Sequence, residues 1–371
     1  NSWALDQMLL YVRNGLEQKT NWKYVESIQF ADIVIFGWYT GFKESSFLLK
    51  KKQIIICLLE NDIKKVYFNL FKNKFNSRID IWLTQSTKEK GRLNKKGFKA
   101  YVMPYSRKND EISKNSISKN IDYLDQLKEF KSISNKKLIV SIQRDSSFIK
   151  NKWEPKEQKN PKYLFELYQE ALNKNLPIML VLTGVRRHWI INELDKNELP
   201  YIFIGQKPNL KDDYLNKIPR EKILEITKEC DFALVTSSWE GGPLCIIESL
   251  EVEKLTFSTN VGFSKDLLPK DLILEGNLSK DIEILKKVVN SDFKGSELLK
   301  SSMKKYKKFQ TLDLDFIIEE INSLSRLKSR NFPKSNLIKK IFLLDKFINS
   351  LENFLRRLLC FFRKNLKIFI N

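Results

Sequence analysis

The stretch CDFALVTSSWEGGPLCIIESLEVEKLTFSTN, residues 230–260, places a turn with two glycines between two apolar runs. The run DFALVTSS before the turn and the run KLTFSTN at the end of the stretch are typical of buried strands. Gly241 and Gly242 let the backbone approach a ligand closely, and Pro243 suits the first turn of a helix. The sequence therefore predicts a strand, a tight loop, a helix that begins near Leu244, and a second strand.

Two carboxylates flank this turn, with Glu240 before the glycines and Glu248 inside the predicted helix. The free N–H groups and the dipole at the N-terminus of such a helix form an anion site suited to phosphate. Because a carboxylate aimed at phosphate would repel it, the two glutamates fit hydroxyl-rich groups, a sugar on one side and a ribose on the other. For an isolated pair of glutamates at this spacing, solvated side chains at an ordinary helix start are the plainer alternative.

The composition limits the class of protein. A chain of 371 residues, 42% hydrophobic and 12% aromatic, is long enough for two globular domains. Its formal charge of +21 predicts an anionic partner, either nucleic acid, acidic lipid or a phosphorylated substrate. A single histidine, His188, and four scattered cysteines argue against a metal centre, a Ser-His-Asp triad and a disulfide framework. No helix-turn-helix, aromatic RNA-binding strand or zinc module is recognisable, so nucleic acid is the least favoured partner.

Short apolar runs alternate with amphipathic stretches along most of the chain, which is typical of parallel sheets covered by helices on both faces. A polar stretch at 107–136 interrupts the pattern, and the pattern then restarts. The restart predicts two Rossmann-like domains, in which ligands bind beyond the carboxyl ends of the strands. The strand-like runs lie at 31–39, 52–60, 79–86, 99–106, 136–145, 176–184, 199–205, 230–238 and 254–260.

The segment SSWEGGPLCIIESLEVEKLTFSTNVG, residues 237–262, resembles the signature S-x-x-E-G-x-P-x-x-x-x-E, with its later glycine, of the retaining GT-B glycosyltransferases. These are the group 1 glycosyl transferases, and the resemblance is to their family-4-like members. It implies an α/β fold of two Rossmann-like domains that face a central cleft. The N-terminal domain, 1–134, would take the acceptor and lacks the usual first strand, whereas 135–325 would bind the nucleotide sugar.

The resemblance also implies roles for individual residues. Glu240 would approach the donor sugar and Glu248 would bind the ribose. The backbone between them would hold the diphosphate, at Gly241, Gly242, Pro243 and Leu244. The sequence departs from the family at EVEKLT, where a small residue and Gly-x-Pro usually form the turn after the helix.

Two cations complete the pattern that the family implies, one after the first strand of the second domain and one before its first helix. Arg144 and Lys159 hold these positions, and they would stabilise the negative charge of the leaving diphosphate without a metal. The connecting loop is long, and three further lysines compete for the role of Lys159. These are Lys150, Lys152 and Lys156.

The segment LTGVRRHWIINEL at 182–194 is a third candidate element. Gly184 ends a strand where the family commonly has a glycine, so we include it in the donor site. Arg186 and Arg187 suit phosphate, but we favour a helix start with Trp189 in the core and the basic residues in solvent. We do not expect His188 to act as a base, because it lies in the donor domain.

The final segment, 326–371, contains twelve Lys or Arg and two acidic residues. Its Leu, Ile and Phe residues recur at spacings of three and four, which predicts a basic amphipathic helix. Such a helix is typical of attachment to an anionic membrane surface. A helix that packs on the N-terminal domain and a coiled coil are the alternatives.

These observations predict a glycosyltransferase that moves a sugar from a nucleoside-diphosphate donor to a membrane-associated glycan or lipid-linked acceptor in envelope polysaccharide or lipopolysaccharide synthesis. The resemblance implies a retaining, metal-independent reaction with no cofactor besides the donor. We expect a cytoplasmic protein, peripheral on the inner face of the membrane. The alternatives are a nucleic-acid or polyanion-binding protein and a catalytically silent glycosyltransferase-like scaffold.

Overall fold

The computed structural model of the chain describes residues 4–37, 39–59, 76–103, 123–208, 216–310, 314–328 and 340–343. The chain forms two compact units. The first unit contains Asn1–Lys108 and Leu312–Asn371, and the second contains Asn109–Thr311.

Helices and strands alternate along both units. The helices are α1 (Ala4–Lys19), α2 (Tyr39–Ser45), α3 (Thr87–Lys95), α4 (Tyr123–Ile133), α5 (Pro161–Asn173), α6 (His188–Lys196), α7 (Arg220–Glu229), α8 (Leu244–Glu251), α9 (Ser264–Leu267), α10 (Leu278–Val289), α11 (Asp292–Gln310) and α12 (Asp315–Lys328). The strands are β1 (Lys23–Tyr24), β2 (Ile33–Phe36), β3 (Ile54–Leu59), β4 (Ile81–Thr84), β5 (Ala100–Val102), β6 (Lys137–Ser141), β7 (Ser146–Ile149), β8 (Lys152–Pro155), β9 (Ile178–Thr183), β10 (Tyr201–Ile204), β11 (Phe232–Val235), β12 (Leu255–Thr259), β13 (Ile273–Leu274) and β14 (Lys340–Leu343). Single 3-10 turns lie at Ile28–Phe30, Ser46–Leu48, Asn76–Arg78 and Lys270–Leu272.

The first unit is built on a parallel six-stranded sheet with the order β1-β14-β2-β3-β4-β5. Every residue of β2 and β3 is buried, as the continuous apolar runs predict for a sheet covered on both faces. Tyr39 lies in the core of this unit, with its ring 5.6 Å from that of Trp82 and 6.1 Å from that of Phe42. These contacts make Tyr39 a packing residue.

Strand β14 corrects the prediction of a continuous amphipathic helix over 326–371. Helix α12 ends at Lys328, and residues 340–343 form a strand that pairs in parallel with β1 and β2. The run KIFL contains a β-branched and an aromatic residue, which favour a strand. The neighbouring strands β1 and β2 supply its backbone hydrogen-bond partners. Residues 329–339 and 344–371 of the predicted helix lie outside the described residues.

The second unit has a parallel sheet with the order β10-β9-β6-β11-β12-β13, together with the antiparallel hairpin β7-β8. The predicted unit of strand, loop, helix and strand at 230–260 is present as β11, α8 and β12, with β11 and β12 paired in parallel. Both sheets therefore have the α/β organisation that was predicted from the alternation of apolar runs. Within the part of the chain that the structure describes, no helix is both long and apolar enough to cross a membrane.

The limits of the two units differ from the predicted limits of 134 and 325. Helix α4 belongs to the second unit, where Leu127 is fully buried against Leu138 and Val140. Helix α12 belongs to the first unit, where Glu320 accepts a hydrogen bond from Tyr101 and pairs with Lys99. The sequence of an amphipathic helix shows that one face packs on a core, but it does not show which core. The predicted limits therefore differ from those of the two units.

The turn between α8 and β12 forms despite the unusual residues EVEKLT. Glu253 adopts a left-handed backbone with φ 56°, and the N–H of Lys254 donates to Ser249 O at 2.8 Å. Glycine is the usual residue in this conformation after a helix because a Cβ is unfavourable there. Glu253 therefore holds the turn in the conformation that the family's small residue would favour, at a cost in strain.

Glu253→Gly should raise the free energy of unfolding of the second unit by about 0.5–1 kcal/mol, because the left-handed strain of a non-glycine residue slightly exceeds the entropic cost of glycine. Glu253→Ala removes the same carboxylate but keeps the Cβ, so it should give no such gain. Urea denaturation followed by circular dichroism measures both. Equal stability of the two variants would contradict the account of strain.

Candidate functional site

Three loops meet at the carboxyl edge of the second sheet because β6 lies between β9 and β11. The loop after β6 carries Gln143 and Arg144, and the loop after β9 carries Gly184 and Arg186. The loop after β11 carries the residues of the quoted turn, beginning at Ser237. In an open parallel sheet this edge is the usual place of a ligand.

Glu240 is buried at this edge, with 8% of the residue exposed. Its carboxylate forms an ion pair with the Lys159 ammonium and accepts a hydrogen bond from Ser237 Oγ at 2.8 Å. Lys159 precedes Asn160, whose left-handed backbone and side chain cap the start of α5. The structure thus brings together Glu240 and Lys159, two of the predicted catalytic residues, from positions 81 residues apart.

The turn with the two glycines packs closely against the backbone of Gly262. Gly262 has φ +48°, and a Cβ at this position would lie 2.5 Å from Gly241 O and 3.0 Å from Gly242 Cα. A hydrogen bond of 2.6 Å from Thr259 Oγ1 to Ser237 O ties the same two loops together. Any side chain at 262 would therefore displace the turn.

Helix α8 begins directly after this turn, with Pro243 at the position before its first residue. No side chain caps its N-terminus, and its first turn contains no acidic residue. The N–H of Ile246 donates to Pro243 O at 3.0 Å, whereas Leu244 and Cys245 precede the first N–H that the helix itself can satisfy. The helix end therefore keeps the anion-binding character that the sequence predicts.

Glu248 lies one turn further along α8 and pairs with Arg220 at the start of α7, with 3.4 Å from Arg220 Nε to Glu248 Oε1. Arg220 also pairs with Glu251. Burial raises the pKa of the Cys245 thiol to about 12, and the Glu248 and Glu240 carboxylates add to this effect while Lys159 opposes it. Glu240 precedes α8 and Glu248 lies one turn inside it, so the two glutamates flank the helix N-terminus along the chain.

Positive charge is concentrated beside Glu240. Loss of hydration lowers the pKa of the half-buried Lys156 ammonium, and the nearby cations Arg144, Lys159 and Arg186 lower it further. Glu240 is the neighbouring carboxylate that opposes this effect. Lys156 thus lies among three other cations, an environment that would favour the binding of an anion.

This cluster distinguishes two of the four lysines of the loop from the other two. Lys156 lies among the cations, and Lys159 is paired with Glu240. Lys150 and Lys152 lie on the exposed hairpin β7-β8. The sequence favours Lys159 by its register, and the structure adds Lys156 as a second candidate ligand of phosphate.

Arg187 corrects the expectation that the basic residues at 186–187 lie in solvent. It is fully buried, with its Nη1 3.0 Å from Asp145 Oδ2 and its Nη2 3.1 Å from Ser141 Oγ, and it donates to Gln143 O. Burial raises the pKa of Asp145 to about 6, although Arg187 opposes the rise. Arg187 therefore fastens the loop after β6 to the start of α6.

His188 is also buried, with its ring stacked on Trp153 at 3.7 Å between centroids and 6° between planes. This stacking joins α6 to the hairpin. Gly184 has φ +94°, and a Cβ there would lie 3.4 Å from Ile142 O. Both residues shape the loops around the cation cluster. Among the described residues, no group of three or more His, Cys, Asp or Glu side chains is arranged to hold a metal ion.

Gln143 is a candidate that the sequence analysis missed. Only 8% of the residue is exposed, and its Oε1 lies 3.1 Å from Ser237 Oγ, the hydroxyl that also contacts Glu240. Its Nε2 has no hydrogen-bond partner within the described ranges of the chain. Because buried amides are nearly always paired in folded proteins, this donor is available for a ligand oxygen. Its position directly before Arg144 was the only signal in the sequence.

Residues 148–307 match the family model of glycosyl transferases group 1. No curated protein sequence matches the chain.

Several solved structures have the same fold at low sequence identity. A mutant of S. aureus TarM in complex with fondaparinux, alpha-GlcNAc-glycerol and UDP has 13% identity and a TM-score of 0.54, over 79% of this chain and 55% of that chain. The sucrose-phosphate synthase from Thermosynechococcus elongatus has 12% identity and a TM-score of 0.53, over 80% and 73%. The alpha,alpha-trehalose 6-phosphate synthase from Burkholderia multivorans has 12% identity and a TM-score of 0.58, over 83% and 74%. The chain thus has the GT-B fold and spans about half the length of TarM.

Gly262→Ala should weaken the binding of inorganic pyrophosphate by roughly tenfold or more, because the new Cβ displaces the turn and at least one charge-assisted hydrogen bond is lost. Gly276→Ala is the matched control. Gly276 has φ +77°, but a Cβ there meets nothing within 4 Å, so the variant carries the backbone strain without the clash. Calorimetric titration of both variants measures the difference. Equal losses would show that the packing of Gly262 on the turn does not shape the anion site.

Proposed function

We propose that this chain, whose residues 148–307 match the glycosyl transferases group 1 family, transfers a sugar from a nucleoside-diphosphate donor to a membrane-associated glycan or lipid-linked acceptor. The observation that carries the proposal is the buried Glu240, which pairs with Lys159, lies near Lys156 and comes directly before the turn into α8. A sugar diphosphate has the two groups that this arrangement suits, hydroxyls for the carboxylate and phosphates for the cations.

The cations account for the leaving group. As the glycosidic bond to the diphosphate breaks, negative charge develops on the phosphate oxygens. Arg144, Lys156 and Arg186 would contact this charge together with the N–H groups of α8, and Lys159, which pairs with Glu240 here, would turn to phosphate. Fixed cations of this kind support a reaction that proceeds without a metal.

The carboxylates account for the rest of the donor. Glu240 and the Gln143 amide, both adjacent to Ser237, would bind hydroxyls of the transferred sugar, and Glu248 would accept hydrogen bonds from the ribose. We propose that transfer proceeds with retention on one face of the sugar, where the leaving phosphate takes up the acceptor's proton. The burial of His188 against Trp153 agrees with a reaction that uses no histidine base.

The relatives support the class of reaction. The TarM complex contains UDP and alpha-GlcNAc-glycerol, and two other similar structures are a sucrose-phosphate synthase and a trehalose 6-phosphate synthase. Envelope glycan synthesis at the cytoplasmic face of the membrane is our proposal for the setting, and the formal charge of +21 supports it because the acceptor surface would be anionic. A polyanion-binding protein or a silent scaffold would bind anions through the same cations without turnover.

Glu240→Gln and Glu248→Gln should each lower kcat/KM for nucleotide release from the best donor of a UDP- and GDP-sugar panel by about 10- to 150-fold. This range corresponds to the loss of a charged hydrogen bond of about 1.5–3 kcal/mol. Circular dichroism and thermal unfolding of each variant show whether the fold is kept.

Glu251→Gln is the matched control for Glu248→Gln, because Glu251 lies on the same helix and pairs with the same Arg220. It should leave turnover within about twofold of the parent chain, since loss of one partly exposed ion pair is worth less than 1 kcal/mol. Wild-type turnover in both glutamate variants of the site would refute the assignment of the donor site. Nucleotide binding without release of nucleotide from any donor would favour the silent scaffold.

A further inference from the structure

Two phenylalanines of the first unit are unusually exposed. Phe30 is 67% and Phe47 is 79% exposed, and each lies on a single 3-10 turn, Ile28–Phe30 and Ser46–Leu48. Removing a phenyl ring from water is favourable. Two rings held in water on neighbouring turns are therefore candidates for contact with an apolar surface.

Side-chain hydrogen bonds join the first turn to the segment that follows the second. Gln53 Nε2 donates to Ile28 O at 2.6 Å and to Ala31 O at 2.8 Å. Lys50 Nζ donates to Gln29 O at 2.7 Å. These contacts place the backbone of Phe30 beside the segment at 50–53.

The second turn is fastened in a similar way. Arg78 donates from Nη1 to Ser46 O and from Nη2 to Leu49 O, both at 2.9 Å. The backbone on both sides of Phe47 is thus fixed by one guanidinium group. The two rings are presented on fixed turns, so little conformational entropy is lost when a partner covers them.

Positive charge follows the second turn in the sequence. Lys50, Lys51 and Lys52 follow the second turn and are all exposed. Phe side chains bury their apolar surface at the boundary between lipid headgroups and acyl chains, and lysines are attracted to an anionic lipid surface. Two rings are a small apolar core for a protein interface, which buries about 800 Å² on each partner. The combination of few rings and several lysines favours lipid over protein.

We propose that Phe30, Phe47 and Lys50–Lys52 form a docking surface for an anionic lipid membrane. The surface belongs to the first unit, whereas the donor site lies in the second, so docking and donor binding are separate properties of the chain. The proposal rests on the membrane-associated acceptor of the proposed function and names the residues that reach the membrane.

The test uses the full chain with vesicles of phosphatidylcholine containing phosphatidylglycerol, in sedimentation at low and high salt. Phe30→Ser with Phe47→Ser should lower the partition coefficient by about tenfold or more at both salt concentrations, because the loss is apolar. Lys51→Gln with Lys52→Gln should lower it mainly at low salt, and it keeps the contact of Lys50 with Gln29. Phe148→Ser with Ile149→Ser is the matched control, since these residues are 50% and 52% exposed in the second unit, and it should bind as the parent chain does.

Calorimetric titration of UDP into the same variants should give unchanged affinity, which separates a failure of docking from a failure of the proposed function. Wild-type partitioning of the Phe30/Phe47 variant, or an equal loss in the Phe148/Ile149 variant, would overturn the proposal. It would also be overturned if the parent chain ignores anionic vesicles at low salt. Unchanged lipid binding with altered self-association of the Phe30/Phe47 variant would assign the surface to a protein partner instead.

Discussion

Crowding of like charge at the carboxyl edge of the second sheet is the constraint on which the candidate site depends. Lys156 is half-buried among Arg144, Lys159 and Arg186, and Glu240 is the carboxylate that offsets part of their repulsion. Such an arrangement is unfavourable by itself, because partial burial weakens the hydration of the charges and like charges repel. A bound anion would offset this repulsion by pairing with the cations. A chain that only needed stability would gain by replacing these residues with neutral ones.

The surrounding structure is arranged to hold the charges in place. The buried Arg187 joins Asp145 to the start of α6, which fixes the loop that carries Arg144. Gly262 packs on the backbone of Gly241, which fixes the turn that carries Glu240. Removing one partner of a buried ion pair typically costs about 3–5 kcal/mol because the other charge is left buried and unpaired, so Arg187 and Asp145 depend on each other. The site is therefore supported by packing that is itself independent of the ligand.

Much of this site was predictable from the sequence because its residues are local. The glycines, Pro243 and the two glutamates lie within one unit of strand, loop and helix, and the pairing of Glu240 with Lys159 agrees with their predicted placement at one site. Gln143 was missed, Lys156 was predicted only as a competitor of Lys159, and the burial of Arg187 was not predicted, because burial and partners do not show in a sequence pattern. Arginine is usually exposed to solvent, yet Arg187 is buried and pairs with Asp145, a carboxylate 42 positions earlier in the sequence.

The fold, like the site, was only partly predictable from the sequence. Continuous apolar runs predicted β2 to β5 of the first sheet and β6 and β9 to β12 of the second, because a buried parallel strand needs apolar residues on both faces. The strand at 340–343 was predicted as helix, because its apolar residues also fit a period of three to four and its partners β1 and β2 are distant in sequence. The unit limits were misplaced for a related reason, since α4 and α12 are amphipathic and do not encode which core they cover.

The central claim is that the cation cluster binds the diphosphate of a sugar nucleotide, and calorimetric titration tests it most directly. UDP or GDP should bind the parent chain at least about tenfold more tightly than the matching nucleoside, since charge-assisted contacts to phosphate contribute about 1.5–3 kcal/mol. Lys156→Ala should remove most of this difference, whereas Lys152→Ala, on the exposed hairpin, should keep it. Equal affinity for nucleoside and nucleoside diphosphate, or equal effects of the two lysine variants, would contradict the account.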